Sequence, residues 1–228
     1  MKKQLLVAIL LWVPTAVTLA QNVGLSFSYF IPTNGSFSIP ISPFSVRGVG
    51  FDLNRYLAVE TGFTLYRMSG LNVKDLPFES KKSLSGPNFT TFVPLELVLQ
   101  FKGKQTEFDL KAGGFFFYAF GQQVNLGNMD RALARYQSWD IANADLDFEN
   151  NPGLGFHFGG EFTITITRQF GISFEVNYLN GSADFPLSGN VTGGLLGGVN
   201  QTVPANFEDA KIDFRGLEFS FGVIFTGR

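Results

Sequence analysis

From Asn22 onward, apolar residues return at every second position over one segment after another, with turn-forming residues between the segments. The clearest run is Leu154-Gly-Phe-His-Phe-Gly-Gly-Glu-Phe-Thr-Ile-Thr-Ile-Thr167. Leu154, Phe156, Phe158, Phe162, Ile164 and Ile166 take alternate places in it, interrupted only at Gly160. A period of two belongs to a β-strand with one apolar face, because successive side chains leave the backbone on opposite sides.

Seven further segments carry the same pattern. The first is Asn22 to Ile31, with Val23, Leu25, Phe27, Tyr29 and Ile31 opposite Gly24, Ser26 and Ser28. A second covers about 45–53. In the third, Leu57, Val59, Thr61, Phe63 and Leu65 oppose Glu60, Gly62, Thr64 and Tyr66. The fourth, about 91–101, sets Val93, Leu95, Leu97, Leu99 and Phe101 against Pro94, Glu96 and Gln100. In the fifth, about 107–118, Phe108, Leu110, Ala112, Phe116 and Tyr118 face away from Asp109, Lys111 and Gly113. The run from Leu154 is the sixth. The seventh sets Ile172, Phe174, Val176 and Tyr178 against Ser173, Glu175 and Asn177. The eighth sets Leu217, Phe219, Phe221, Val223 and Phe225 against Glu218, Ser220 and Gly222. Just upstream, Ala210, Ile212 and Phe214 have the opposite parity, which predicts a β-bulge beside Gly216.

The connections sort by length. Those near 54–56, 102–106 and 168–170 are short, those near 32–44, 69–90, 119–152 and 180–209 are long, and the two kinds alternate. Strands of about ten residues, joined alternately by tight turns and long loops, describe an all-β, eight-stranded antiparallel up-and-down transmembrane β-barrel. Closure follows from the setting, since an open edge would leave unpaired backbone groups in hydrocarbon. The competing arrangement is a soluble barrel with the apolar face turned inward. Its outer face would then be rich in Lys, Glu and Asp. Here the second face is mostly Gly, Ser and Thr with single charges, which suits a crowded interior.

Composition adds 27 Phe and 26 Gly, with one His and no Cys, so an exported chain would gain nothing from disulfides. Residues 1–20 read as a secretory signal peptide: Lys2 and Lys3, an apolar stretch from Leu5 to Val13, and Thr18-Leu19-Ala20 before Gln21. The stretch is too short for a comfortable membrane anchor and is interrupted by Pro14. Residues 21–228 then form one barrel domain. Without Lys2 and Lys3, 15 basic residues face 19 acidic ones, a balance that gives no reason to expect a nucleic-acid partner. No cofactor motif is present. The Gly189–Gly198 segment lacks the Lys-Ser/Thr pair and the strand-to-helix setting of a phosphate loop, and is too Gly-rich for a fixed shape without a partner.

With the apolar faces toward lipid, Glu60, Glu96, Asp109, Lys111, His157, Glu161, Glu175 and Glu218 point into the lumen. An eight-stranded barrel is just wide enough for side chains to fill it, so these groups form either a paired structural plug or an ion path. His157 has no serine in its own strand, which disfavours a hydrolase triad. In the third long loop, Met129, Leu133 and Tyr136 share a helical face, and Asn128 is placed to cap that helix. Asp145, Asp147 and Glu149 alternate as on a strand projecting from the sixth segment. They form a solvated acidic edge, or else share a Ca²⁺ or meet lipopolysaccharide through bridging cations. Asn34, Asn88, Asn180, Asn190 and Asn200 begin Asn-x-Ser/Thr triplets, to which no role is assigned.

The strand count, the alternating turns and the ending Gly216-Leu-Glu-Phe-Ser-Phe-Gly-Val-Ile-Phe225 resemble small outer-membrane β-barrel proteins of the OmpA/OmpX/OmpW type, in a Phe- and Gly-rich style similar to Bacteroidetes barrels. The resemblance covers about residues 22–226 and rests on pattern. It implies residence in the cell outer membrane, with both termini periplasmic and the long loops extracellular. It also implies contact with outer-membrane lipids and lipopolysaccharide, and recognition of Gly216, Phe219, Phe221 and Phe225 by the barrel-assembly machinery. The chain departs from that pattern by continuing Thr226-Gly227-Arg228 past the last aromatic residue. A non-enzymatic structural or surface-interaction role is the expectation. The alternatives are a barrel transporting small or hydrophobic solutes and a lipid-modifying enzyme.

Overall fold

The computed structural model describes residues 22–35 and 41–226. The expected signal peptide therefore lies outside the described residues. Eight long strands form the barrel: β1 (Asn22–Pro32), β2 (Ile41–Asp52), β3 (Leu57–Met68), β5 (Asn88–Lys102), β6 (Thr106–Phe120), β8 (Gly153–Thr165), β9 (Phe170–Asp184) and β12 (Lys211–Thr226). Each pairs antiparallel with its neighbours, and β1 closes the sheet on β12 from Asn22↔Thr226 to Pro32↔Gly216. The two-residue β4 (Val73–Lys74) adds to the loop end of β12.

The apolar face lies outside. Leu95 is 65% exposed and Leu154 70%, and Phe27, Phe51, Phe156, Phe158 and Phe174 join them in a belt around the barrel. Water would not tolerate so continuous an apolar surface on a monomer, and the soluble alternative, with this face inward, is excluded. The barrel crosses a membrane with its strands.

The strands run to 16 residues, longer than the sequence pattern predicts, because they continue beyond the lipid belt on the long-loop side. There they meet a folded cap. Helix α1 (Leu126–Gln137) packs on β7 (Ile141–Phe148), and β7 pairs with β10 (Leu187–Gly194), which pairs in turn with β11 (Gln201–Phe207). The Gly189–Gly198 region is thus ordered in large part by a strand of this chain. Hydrogen bonds from β7 and β11 on its two sides supply the fixed shape that composition alone denied it. Asp145 and Asp147 lie on β7, in this second sheet, with Glu149 just past its end, and do not extend the sixth barrel strand.

Two further expectations change. No bulge occurs at Gly216: β12 stays in unbroken register with β9 from Lys211↔Asp184 to Phe225↔Phe170. Ile212 and Phe214 are inward-facing apolar residues, because the loop-side half of the lumen is itself apolar. The irregularity sits in β2, where the pairing with β3 shifts between Val46 and Val49, at Gly48 with φ of 69°. Helix α1 is capped by Asn125, whose side chain accepts from the Asn128 N–H at 3.2 Å. Asn128 instead donates from its amide to the Ser83 carbonyl at 2.8 Å, tying the helix to the preceding loop. Of the expected helical face, Met129 and Leu133 are buried and Tyr136 is half exposed.

Candidate functional site: the lumen and its cap

The lumen has two storeys. On the short-turn side lies the charged one. Lys111, on β6, extends its ammonium to Glu161 Oε2 at 2.6 Å, Glu60 Oε2 and Glu175 Oε1 at 3.6 Å, and Glu96 Oε2 at 3.9 Å. Arg47, on β2, meets Glu218 Oε1 at 2.5 Å and lies 3.8 Å from Glu96 and 4.0 Å from Glu175. Its Nε donates to Ser45 Oγ at 3.0 Å, and its guanidinium carbon stands 5.6 Å from the centre of the Phe92 ring. Asn177 donates to both Glu175 Oε1 (2.8 Å) and Glu218 Oε2 (2.9 Å), and the Tyr66 hydroxyl also donates to Glu218. Register explains why cations are needed here. Glu60 stands directly opposite Glu96, Asp109 opposite Glu161, and Glu161 opposite Glu175. Like charges facing one another across strands are destabilising, and the two cations sit among them.

All eight lumen residues named from the sequence face inward. Glu60, Glu96, Glu161 and Glu175 gather on Lys111 and Glu218 on Arg47, and Glu96, Glu175 and Asn177 join the two groups. His157 is buried, with Nε2 3.5 Å from Glu96 Oε1 and its ring 6.3 and 6.2 Å from the rings of Phe92 and Phe115, which pack on each other to one side of it. Asp109 stands apart, its Oδ1 without a hydrogen-bond partner among the described residues, on the wall of a cavity of about 40 Å³ open toward the short turns. On this scale the cavity holds roughly three waters.

Arg47 escaped the sequence reading. Its strand carries the bulge at Gly48, so alternation does not identify its inward face. A charged residue inside a strand flanked by lipid-facing Phe44 and Phe51 was the signal available.

Above the charges lies the apolar storey. Phe214 stacks on Phe30 (4.8 Å between ring centres, 10°) and on Phe117 (4.5 Å, 25°), and Tyr66, Phe92 and Phe115 complete the layer. Glycine on the facing strands makes the room: a Cβ at Gly181 would lie 2.7 Å from Phe115 Cζ, and one at Gly155 would meet the same ring. This layer is continuous with the core of the cap, through Met68, Leu84, Met129, Leu133 and Phe185. Asn150 donates to the Ala119 carbonyl at 2.7 Å and Asp130 accepts from the Ala144 N–H at 2.7 Å, fastening loop to strand and helix to cap sheet.

The possible Ca²⁺ site is not formed. Asp145, Asp147 and Glu149 are exposed along one edge of the cap, where alternate positions point the same way but do not converge, and no acidic or histidine group able to hold a metal occurs among the described residues. On β12, Phe221 and Phe225 face lipid, Phe219 is half-buried, and Gly216 faces inward, where a Cβ would strike the Ile31 carbonyl.

No protein-family model matches the sequence, and no curated protein matches it either. Solved structures do. The outer membrane protein OprG from Pseudomonas aeruginosa aligns with a TM-score of 0.52 at 12% identity, covering 90% of this chain and 94% of that one. The attachment invasion locus protein Ail of Yersinia pestis (0.39, 12%, 90% and 94%) and a major outer membrane protein from Thermus thermophilus (0.43, 11%, 90% and 98%) have lower scores. What the chain shares with OprG is the fold, a closed antiparallel barrel of eight long strands.

Proposed function

We propose that this protein is a non-conducting, non-enzymatic barrel of the outer membrane that holds a rigid cap at the cell surface for recognition. The observation carrying this reading is the aromatic layer of Phe30, Tyr66, Phe92, Phe115, Phe117 and Phe214, which fills the lumen and merges with the core of the cap. Beneath it, Glu60, Glu96, Glu161, Glu175 and Glu218 each lie within 4.0 Å of Lys111 or Arg47, so the interior works as a structural plug. His157, buried at 2% exposure beside Glu96 and the Phe92 and Phe115 rings, does not reach the lipid face where a lipid-modifying group would act. The cap, by contrast, is a built structure with its own sheet, helix and core.

In this reading the short turns and both ends of the barrel sequence face the periplasm, and the cap faces outward among lipopolysaccharide. The lipid-facing residues of β12, Phe221 and Phe225, are what the barrel-assembly machinery would meet. Planar-bilayer recording on the purified, folded protein tests the proposal. The membrane should stay silent; stepwise conductance from the unmodified protein would overturn it in favour of the transport alternative.

A further inference from the structure

One part of the cap is concave. Between the C-terminal end of α1, the segment around Asp75 and the β10–β11 hairpin lies a pocket of about 390 Å³, within the range of small-molecule sites. Leu133, Val191 and Ala205 close its base but are themselves buried, and the apolar surface left open to a guest comes from Pro77, Val203, Pro204 and Phe207 within a largely polar lining. One wall is aromatic. Phe78 stands 5.5 Å from both Tyr136 and Phe207, tilted against the first and edge-on to the second, which fixes the two rings that line the pocket.

The rim has one sign of charge. Asp75, Glu208 and Asp209 line it, and no Lys or Arg does. Arg135 of the last turn of α1 is not in the lining, nor are Lys74 and Lys211, which pair across β4 and β12, where Lys211 faces Asp184 at 3.9 Å. Leu133, Tyr136 and Gln137 bring the side of the last turns of α1 to the pocket. Aromatic rings, open apolar surface and rim carboxylates favour the same kind of guest.

We infer that this pocket binds a small organic cation with an apolar body, such as an aromatic or quaternary amine. The ammonium would sit among the rim carboxylates and over Tyr136, a cation–π position, with the apolar body against Val203, Pro204 and Phe207. The inference rests on the cap being the working face of the barrel.

The test uses the full chain in lipid nanodiscs, with benzyltrimethylammonium as probe, benzyl alcohol as the uncharged comparison, and empty nanodiscs as blank. Calorimetry should show saturable binding of the cation and affinity for the alcohol lower by about tenfold or more. The Glu208→Gln/Asp209→Asn double variant should lose about tenfold in affinity, and Tyr136→Leu a smaller factor. These side chains are exposed, so heat-modifiable gel migration should be unchanged and verifies folding. Cation binding no greater than to empty nanodiscs, or undiminished in the double variant, overturns the inference. Either result would leave the silent barrel intact, whereas channel activity would count against the barrel reading without touching the pocket.

Discussion

Replacing Lys111 by Met tests whether the lumen holds together as a network of charges. The side-chain stem keeps about its length, so packing changes little while the ammonium disappears. Four carboxylates then lose a cation that stands 2.6–3.9 Å from each of them. Glu161, Glu175 and their neighbours remain opposed across the strands with only Arg47 to offset them. Breaking a buried pair from one side costs about 3–5 kcal/mol, because the uncompensated partner stays buried. Attraction falls as the inverse of distance, so Glu161, the closest of the four, carries roughly a third of Lys111's total. Removing that carboxylate as well, in Lys111→Met/Glu161→Gln, should therefore recover about 1–1.5 kcal/mol of the loss.

Urea unfolding of the refolded protein in one fixed detergent, followed by the shift between folded and unfolded gel bands, measures both quantities through a double-mutant cycle. Glu161→Gln alone should destabilise, whereas in the Lys111→Met background the same change should stabilise. That reversal of sign is what an electrostatic network demands, and a packing role for the stem would not produce it. A Lys111→Met variant within about 0.5 kcal/mol of the parent, or additive losses in the double variant, would refute the reasoning.

Other consequences are simpler to state. Phe214→Ala removes the ring stacked on both Phe30 and Phe117 and should cost about 3–5 kcal/mol, read from the same unfolding curves. Gly181→Ala forces a methyl against Phe115 and should cost about 1–3 kcal/mol, with partial recovery when Phe115 is shortened to Leu. Leu95→Lys, at the middle of the lipid belt on β5, should cost about 2–4 kcal/mol in a bilayer, and an effect near zero would count against lipid contact there. Asn125→Ala removes the cap of α1 and should cost about 1 kcal/mol locally. Hydrogen exchange over residues 126–137 should quicken while the barrel transition stays put.

Alternation made the eight strands and their outward faces readable because lipid imposes one rule on every strand: each outward side chain must be apolar. Glu60, Glu96, Asp109, Lys111, His157, Glu161, Glu175 and Glu218 were legible for the same reason, as polar residues at inward parity. The loop-side half of the lumen obeys another rule. Phe115 and Phe117 share inward parity with Lys111, yet beside the outward-facing Phe116 they read only as a continuous apolar run, from which no face can be assigned. Ile212 and Phe214 broke the alternation because the interior turns apolar above Gly216, and period alone cannot tell a shifted strand from an apolar interior. Only the pairing register, with Phe214 opposite Gly181 and Arg215 opposite Asn180, separates the two. The cap was hidden by a related ambiguity: Leu187–Gly194 is poor in strand-forming side chains and gains its order from β7 and β11, partners far away in sequence.

The apolar interior and the cap are therefore a single structural decision. A lumen that stayed polar to its outer end would offer the cap no core to join, and loops of this length would have only their own side chains for anchorage. With Phe214, Phe117 and Leu179 presenting an apolar upper surface, Met68, Leu84 and Met129 can bury against it and carry the barrel's rigidity outward. The same aromatic layer that blocks the lumen is what gives the cap its fixed shape. A substitution that opened one should loosen the other, and exchange measured in α1 of the Phe214→Ala variant would show that coupling directly.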